Sequence, residues 1–277
     1  MNARAGALPV DIDESQAIWR THENRRAIQV VGGKAMDGMD TVIEEVPVAL
    51  VYNGVSHAVM LATPADVADF ALGFSLAEGI LASPRELYGV EITHCANGIE
   101  AHLDIAAERF MQLKERRRSL AGRTGCGLCG VESLAAAVRQ PAPVSSKPQV
   151  AGEAIMRALA RLPEHQVLHG LTGGAHAAAW AGLDGDIVVA REDVGRHNAL
   201  DKLIGALARE GVAPDSGFVA VTSRASYEMV QKVAAFGAGL LVAVSAPTSF
   251  AVRMAHQANI TLVGFARAGR LTFYTNH

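Results

Sequence analysis

Beyond residue 217 the chain alternates strand, helix, strand, helix, strand: apolar runs at 218–222, 240–244 and 260–265 are separated by helical patterns at 226–236 and 249–259. This order constrains the fold more than any other feature, because strands linked through helices pair in parallel and need helices over their faces. In such sheets ligands gather at the carboxyl ends of the strands. Those ends carry Ser223 and Arg224, then Ser245, Ala246, Pro247 and Thr248, then Phe265, Ala266, Arg267, Ala268, Gly269 and Arg270. Hydroxyls, helix-start amides and guanidinium forks suit phosphate or pyrophosphate. A phosphate-bearing ligand is one reading of this edge, and arginines merely solvated at loop tips are the other.

The preceding part is patterned differently. Alternation over 46–61 is broken at Asn53-Gly54, which predicts a hairpin with His57 on its apolar face. Thr63-Pro64 predicts the cap and first residue of a helix in which Val67, Phe70, Ala71 and Phe74 recur, running to Gly79. A second hairpin at Asn97-Gly98 sets Val90, Ile92 and His94 against Ile99, Ala101 and Leu103, leaving Cys95 on the polar face. Residues 1–40 read as irregular, with turns at Gly32-Gly33 and Gly38 and with Trp19 as a packing anchor. Three prolines within 141–148 mark a linker. The expected division is an irregular segment at 1–40, a small strand-rich domain at 41–112, a basic loop with a C-x-x-C hinge and linker at 113–148, and an α/β domain at 149–277. Inside the last, a helix over 152–162 is stopped by Pro163, and a hairpin turns at Asp184-Gly185. A polar cluster at 191–198 precedes a helix with the buried stripe Leu200, Leu203, Ile204 and Leu207. In that cluster Asp193 and His197 suit either a helix cap or a binding patch.

Half of the 277 residues are apolar, enough for a large core, and a formal charge of −3 gives no field for general nucleic-acid or anionic-membrane binding. The longest apolar run, at 239–244, is too short to span a bilayer, so a cytoplasmic location is expected. Three cysteines form no disulfide framework. Two of them, Cys126 and Cys129, sit in Gly125-Cys126-Gly127-Leu128-Cys129-Gly130. Upstream lie Lys114, Arg116, Arg117, Arg118 and Arg123, and residues 131–138 downstream read as a short helix. Glycines give access, while positive charge and a helix N-terminus both favour the thiolate nucleophile. On these residues alone, redox or sulfur chemistry and metal binding stand side by side.

The stretches at 122–130, 172–179, 191–202, 222–232 and 245–249 together resemble the FdhD family of formate dehydrogenase accessory sulfurtransferases, over about 44–274. The resemblance implies an α/β chain, α+β overall, with a cytidine-deaminase-like three-layer larger domain and a smaller strand-rich N-terminal domain, working as a homodimer. It implies a sulfurtransferase that takes persulfide sulfur from a cysteine desulfurase. The sulfur then passes to the molybdenum cofactor, a bis-molybdopterin guanine dinucleotide, before its insertion into formate dehydrogenase. By motif, Cys126 bears the persulfide, Cys129 is its companion thiol, and Phe265, Ala266, Arg267, Ala268, Gly269 and Arg270 bind the cofactor; no metal ligands are implied. A non-catalytic cofactor chaperone and a zinc-dependent deaminase are the rivals. The deaminase needs H-x-E and P-C-x-x-C, and here Ala178 stands at the glutamate place and Gly125 at the proline place. A structural zinc site would draw on Cys95 and His94, and a thioredoxin-like oxidoreductase lacks its βαβ context.

Overall fold

The computed structural model describes residues 10–12, 19–121, 140–267 and 269–276. Its first strand, β1 (Val10–Ile12), is followed by a two-stranded ribbon of β2 (His22–Val31) and β3 (Lys34–Ile43), so among its described residues the segment expected to be irregular is largely strand. The ribbon turns at Gly32-Gly33, with φ of 58° and 80°, whereas Gly38 lies inside β3 opposite Ala27. Apolar and charged residues share both of its faces, and Ile28, Val30, Met36 and Met39 are exposed, so no one-sided stripe announces the strands. Trp19 anchors as expected, its indole N–H donating to the carbonyls of Cys95 and Gly98 at 3.1 and 3.2 Å.

A five-stranded sheet in the order β1-β6-β7-β4-β5 combines β1 with two hairpins, β4 (Val46–Tyr52) with β5 (Val55–Ala62) and β6 (Leu87–Cys95) with β7 (Gly98–Ile105). The first turns on Asn53 and Gly54 at positive φ. A bulge between Leu50 and Val51 shifts its register, so His57, expected on the apolar face, is exposed. The second pairs Val90, Ile92 and His94 with Leu103, Ala101 and Ile99 as expected, but turns on Ala96-Asn97, one residue early. Helix α1 (Val67–Ala77) covers this sheet through Phe70 and Phe74. It starts after Asp66, not at Thr63-Pro64, because Thr63 is fully buried and committed elsewhere. Helix α2 (Ala107–Ala121) takes up the start of the expected basic loop, from Leu113 to Ala121: its run of Glu, Gln, Leu, Lys and Arg meets no glycine or proline before Gly122. Arg123, Cys126, Cys129 and the helix expected at 131–138 lie outside the described residues.

The proline-rich stretch 141–148 has no regular structure, yet it is tied down: the Val144 amide donates to Ala258 O at 2.9 Å and the Ser146 hydroxyl to Pro214 O at 3.0 Å. Helix α3 (Gly152–Arg161), a 3₁₀ turn at Leu162–His165 and α4 (Val167–Thr172) lead to β8 (His176–Gly182) and β9 (Ile187–Asp193). Helices α5 (Arg196–Glu210), α6 (Tyr227–Phe236) and α7 (Ser249–Gln257) then alternate with β10 (Gly217–Val221), β11 (Leu240–Ala243) and β12 (Thr261–Arg267), and β13 (Arg270–Phe273) closes the chain. The sheet runs β13-β12-β11-β10-β8-β9, with β10, β11 and β12 parallel. Val219, Val221, Leu241 and Leu262 face α5, α6 and α7, while Phe218, Ala220, Val242 and Val263 face α3. This is the expected three-layer α/β arrangement, and burial on both faces explains the unbroken apolar runs.

The two sheets meet where α1 crosses α5. A Cβ on Gly73 would come within 1.8 Å of Asp201 O and one on Gly205 within 1.9 Å of Asp69 O, so each helix needs glycine for the other's backbone to approach. Around the crossing, Asp69 takes ion pairs from Arg191 and Arg209, both at 2.8 Å. Fully buried Lys202 meets fully buried Asp193 at 2.7 Å and donates to Thr63 O at 3.0 Å. The Thr63 amide donates back to Asp193 at 3.0 Å, and its hydroxyl accepts from Val194 N at 3.1 Å.

Candidate functional site at the strand ends

The parallel strands all end at one edge, and topology brings the neighbouring segments there too. Because β8 is antiparallel to β10 and to β9, it begins at this edge, and His176 pairs with Asp193 at the end of β9. The edge therefore collects His176, the start of α5 (Arg196, His197), residues 222–228, residues 245–248 and residues 265–267, 269 and 270. These come from segments spread between residues 176 and 270.

At one end of the row, β12 carries a bulge between Gly264 and Arg267, and Phe265 adopts φ of +50°, which is left-handed backbone for a bulky residue. Such a conformation is uncommon and clusters at ligand sites. Two contacts hold it. The Phe265 amide donates to Ser245 O at 3.1 Å, and the Arg270 guanidinium lies over the phenyl ring, 4.9 Å from its centre. Beside this hairpin a cavity of about 460 Å³ opens between α3, the 3₁₀ turn and the strand ends, lined by Met156, Leu159, Thr222, Val244, Ala266 and Arg267. It is mostly apolar with one arginine at its wall, a form suited to a flat ring that also carries polar groups. Of the six residues expected to bind cofactor, Phe265, Ala266, Arg267, Gly269 and Arg270 are gathered at this hairpin, and Ala268 lies outside the described residues. The strand expected to stop at 265 runs on to Arg267 and returns as β13, which local apolarity did not mark because Arg267 and Arg270 are exposed.

At the other end, α5 and α6 begin side by side. His197 Nε2 stands 2.8 Å from Glu228 Oε2. Burial holds the His197 imidazole below its ordinary pKa, with Glu228 opposing and Arg196, Lys232 and His176 reinforcing the drop. His176 is lowered as well, first by burial and then by Arg196 and His169. Two neutral imidazoles therefore sit beside a permanent cation. Asp193, which shared two readings with His197, belongs to the joint: besides Lys202 and Thr63, it accepts from Gly195 N at 2.7 Å and from Asn198 Nδ2 at 3.0 Å. Lys232 was missed in the sequence. It is buried, held by both oxygens of Asp201 at 2.8 and 2.9 Å, with Glu78 at 3.6 Å.

Among the described residues no group of three His, Cys, Asp or Glu side chains could hold a metal ion, and His94 and Cys95 are no exception. Ala178, at the place of a deaminase glutamate, is a fully buried residue of β8. No helix among them is long and apolar enough to cross a membrane.

A profile of the FdhD/NarQ family matches residues 43–277. A sulfur carrier protein FdhD from Cupriavidus necator is 60% identical over 244 residues, covering 88% of this chain and 85% of that one. One of the same name from Bordetella bronchiseptica is 52% identical over 264 residues, covering 95% and 96%. A crystal structure assigned to a formate dehydrogenase accessory protein of Desulfotalea psychrophila superposes with a TM-score of 0.73 over 93% of this chain and 98% of that one; at 22% identity the likeness is one of fold.

Proposed function

This chain belongs to the FdhD/NarQ family, and from that premise we propose that it is a sulfurtransferase that loads sulfur onto the molybdenum cofactor of formate dehydrogenase. In this reading it works in the cytoplasm as a homodimer, receives sulfur from a cysteine desulfurase, and takes the bis-molybdopterin guanine dinucleotide as cargo. The observation that carries the reading is the Phe265/Arg270 hairpin beside the Arg267 cavity. An aromatic ring carried on left-handed backbone and covered by a guanidinium, next to an apolar slot, offers a nucleobase a flat partner and its polar edge a donor.

Cys126 supplies the chemistry. Its thiolate attacks the outer sulfur of the desulfurase persulfide, the donor's S–S bond breaks, and the desulfurase thiolate leaves as the new S–S bond forms on Cys126. Cys129 then attacks the inner sulfur of that persulfide. The two cysteines close a disulfide, and the outer sulfur leaves as sulfide for the cargo, the two thiols having supplied both electrons.

The reading is tested in cells lacking this protein by measuring formate dehydrogenase activity restored by variants. Cys126→Ala and Arg267→Ala each leave only background activity, one for want of sulfur and the other for want of cargo. Full restoration by Cys126→Ala alongside loss with Arg267→Ala would instead mark a cofactor chaperone.

A further inference from the structure

The ribbon of β2 and β3 belongs to neither of the larger sheets. It meets the body at its base, where Ile43 packs so closely on Gly174 that a Cβ there would come within 2.9 Å of it; a Cβ on Gly33 or Gly38 would meet nothing within 4 Å. Along its length Ile28, Val30 and Met39 stand on one face and Val31, Met36 and Val42 on the other, each between 42% and 73% exposed. A strand pair covered on one side alternates apolar with polar residues, whereas this one is partly apolar on both. A lone hairpin is only marginally stable in water and gains stability by packing. Two unpaired edges beside bare aliphatic side chains also invite indiscriminate pairing.

We propose that the ribbon is a dimerisation arm: a second copy of this chain clasps it on both faces, and the two copies exchange arms. The assignment rests on the homodimer reading above and names the surface that makes the dimer.

Charge favours no foreign partner. Arg25, Arg26 and Lys34 are balanced by Glu23, Asp37 and Asp40, with Arg25 paired to Glu23 and Arg26 to Asp37. The arm therefore attracts neither a basic nor an acidic surface and does not repel another arm. Area points the same way. Strands of ten residues, at about 3.3 Å per residue and about 4.8 Å between strands, make an arm of roughly 33 by 10 Å, with roughly 660 Å² on its two faces. Clasped one way, arm and cradle together would bury roughly 1,300 Å², the low end for a specific interface; exchanged about a two-fold axis, they bury roughly 2,600 Å², in the range of permanent dimers. Permanent cover is what such a ribbon needs, and a second copy is present whenever the chain is. Helix α4, which adjoins β3, continues the surface with Val167 and Leu171, 70% and 53% exposed.

The test is sedimentation equilibrium of the full chain, with hydrogen exchange of the ribbon amides. The unaltered protein should be a dimer whose ribbon amides are protected, and that protection should be lost on dilution below the dissociation constant. Ile28→Asp on one face and Met36→Asp on the other should each weaken dimerisation about 30-fold, as for a central interface residue. Ile28→Thr keeps the strand preference of its position and should shift the equilibrium the same way, which separates loss of the contact from loss of the ribbon. A dimer unaffected by all three variants overturns the arm and leaves the homodimer reading standing on another surface. Weakening by variants of one face alone overturns the clasp. A monomeric chain overturns both readings: freely exchanging ribbon amides would then leave this surface to a foreign protein, and protected ones would mean that the chain covers its own ribbon.

Discussion

Helix α5 passes through two regions that employ the same residue types in opposite ways. In its middle, at the crossing with α1, Asp201 is answered by Lys232, and Lys202 by Asp193 and Thr63. At its start, Arg196 and His197 leave buried nitrogen atoms without hydrogen bonds. The contrast separates polar groups that hold the chain together from those whose burial the fold does not fully answer. A fully paired buried charge is fixed by the fold, whereas an unpaired buried polar group raises the free energy of the folded protein.

Four substitutions press on this contrast. The largest effect is expected from Asp193→Asn, which leaves the Lys202 ammonium buried and unanswered and should cost about 3–5 kcal/mol in urea unfolding. Next is Gly73→Ala, where the new methyl meets the Asp201 backbone and the helices must part, at about 1–3 kcal/mol. The third is a pH effect. Burial, outweighing Lys232, pushes the Asp201 carboxyl from 3.8 up to about 6. The folded chain therefore holds that proton more tightly than the unfolded chain does. The resulting stabilisation is complete below pH 3.8 and is lost as pH rises through about 6. Asp201→Asn should remove this component of the slope, and an identical slope in both proteins would contradict the assignment. The smallest effect is expected at the edge: Ser226→Ala removes an unpaired hydroxyl and should leave unfolding within about 0.5 kcal/mol of the unaltered protein.

What could be read from the sequence follows the same divide. The parallel core of β10, β11 and β12, both hairpins of the five-stranded sheet and the buried stripe of α5 were legible, because local periodicity and Asn-Gly turns encode them. The ribbon of β2 and β3 was not, since residues exposed on both faces carry no stripe. His57 was displaced by a bulge that no local pattern announces. Thr63 read as an ordinary helix cap because its partners, Asp193 and Lys202, are more than 120 residues away. The edge was half legible. Strand-end arginines flagged residues 265–270, but Arg196 and His197 reach this edge only because β8 and β9 fold back beside β10.

The central claim is that sulfur rides on Cys126 to a cargo held at this edge, and its most direct test is the mass of the Cys126 peptide. After incubation of the purified protein with a cysteine desulfurase and cysteine, followed by alkylation and digestion, that peptide should be one sulfur atom heavier, and the Cys95 peptide should be unchanged. A Cys126 peptide of unaltered mass, under conditions where the desulfurase itself carries persulfide, would contradict the account.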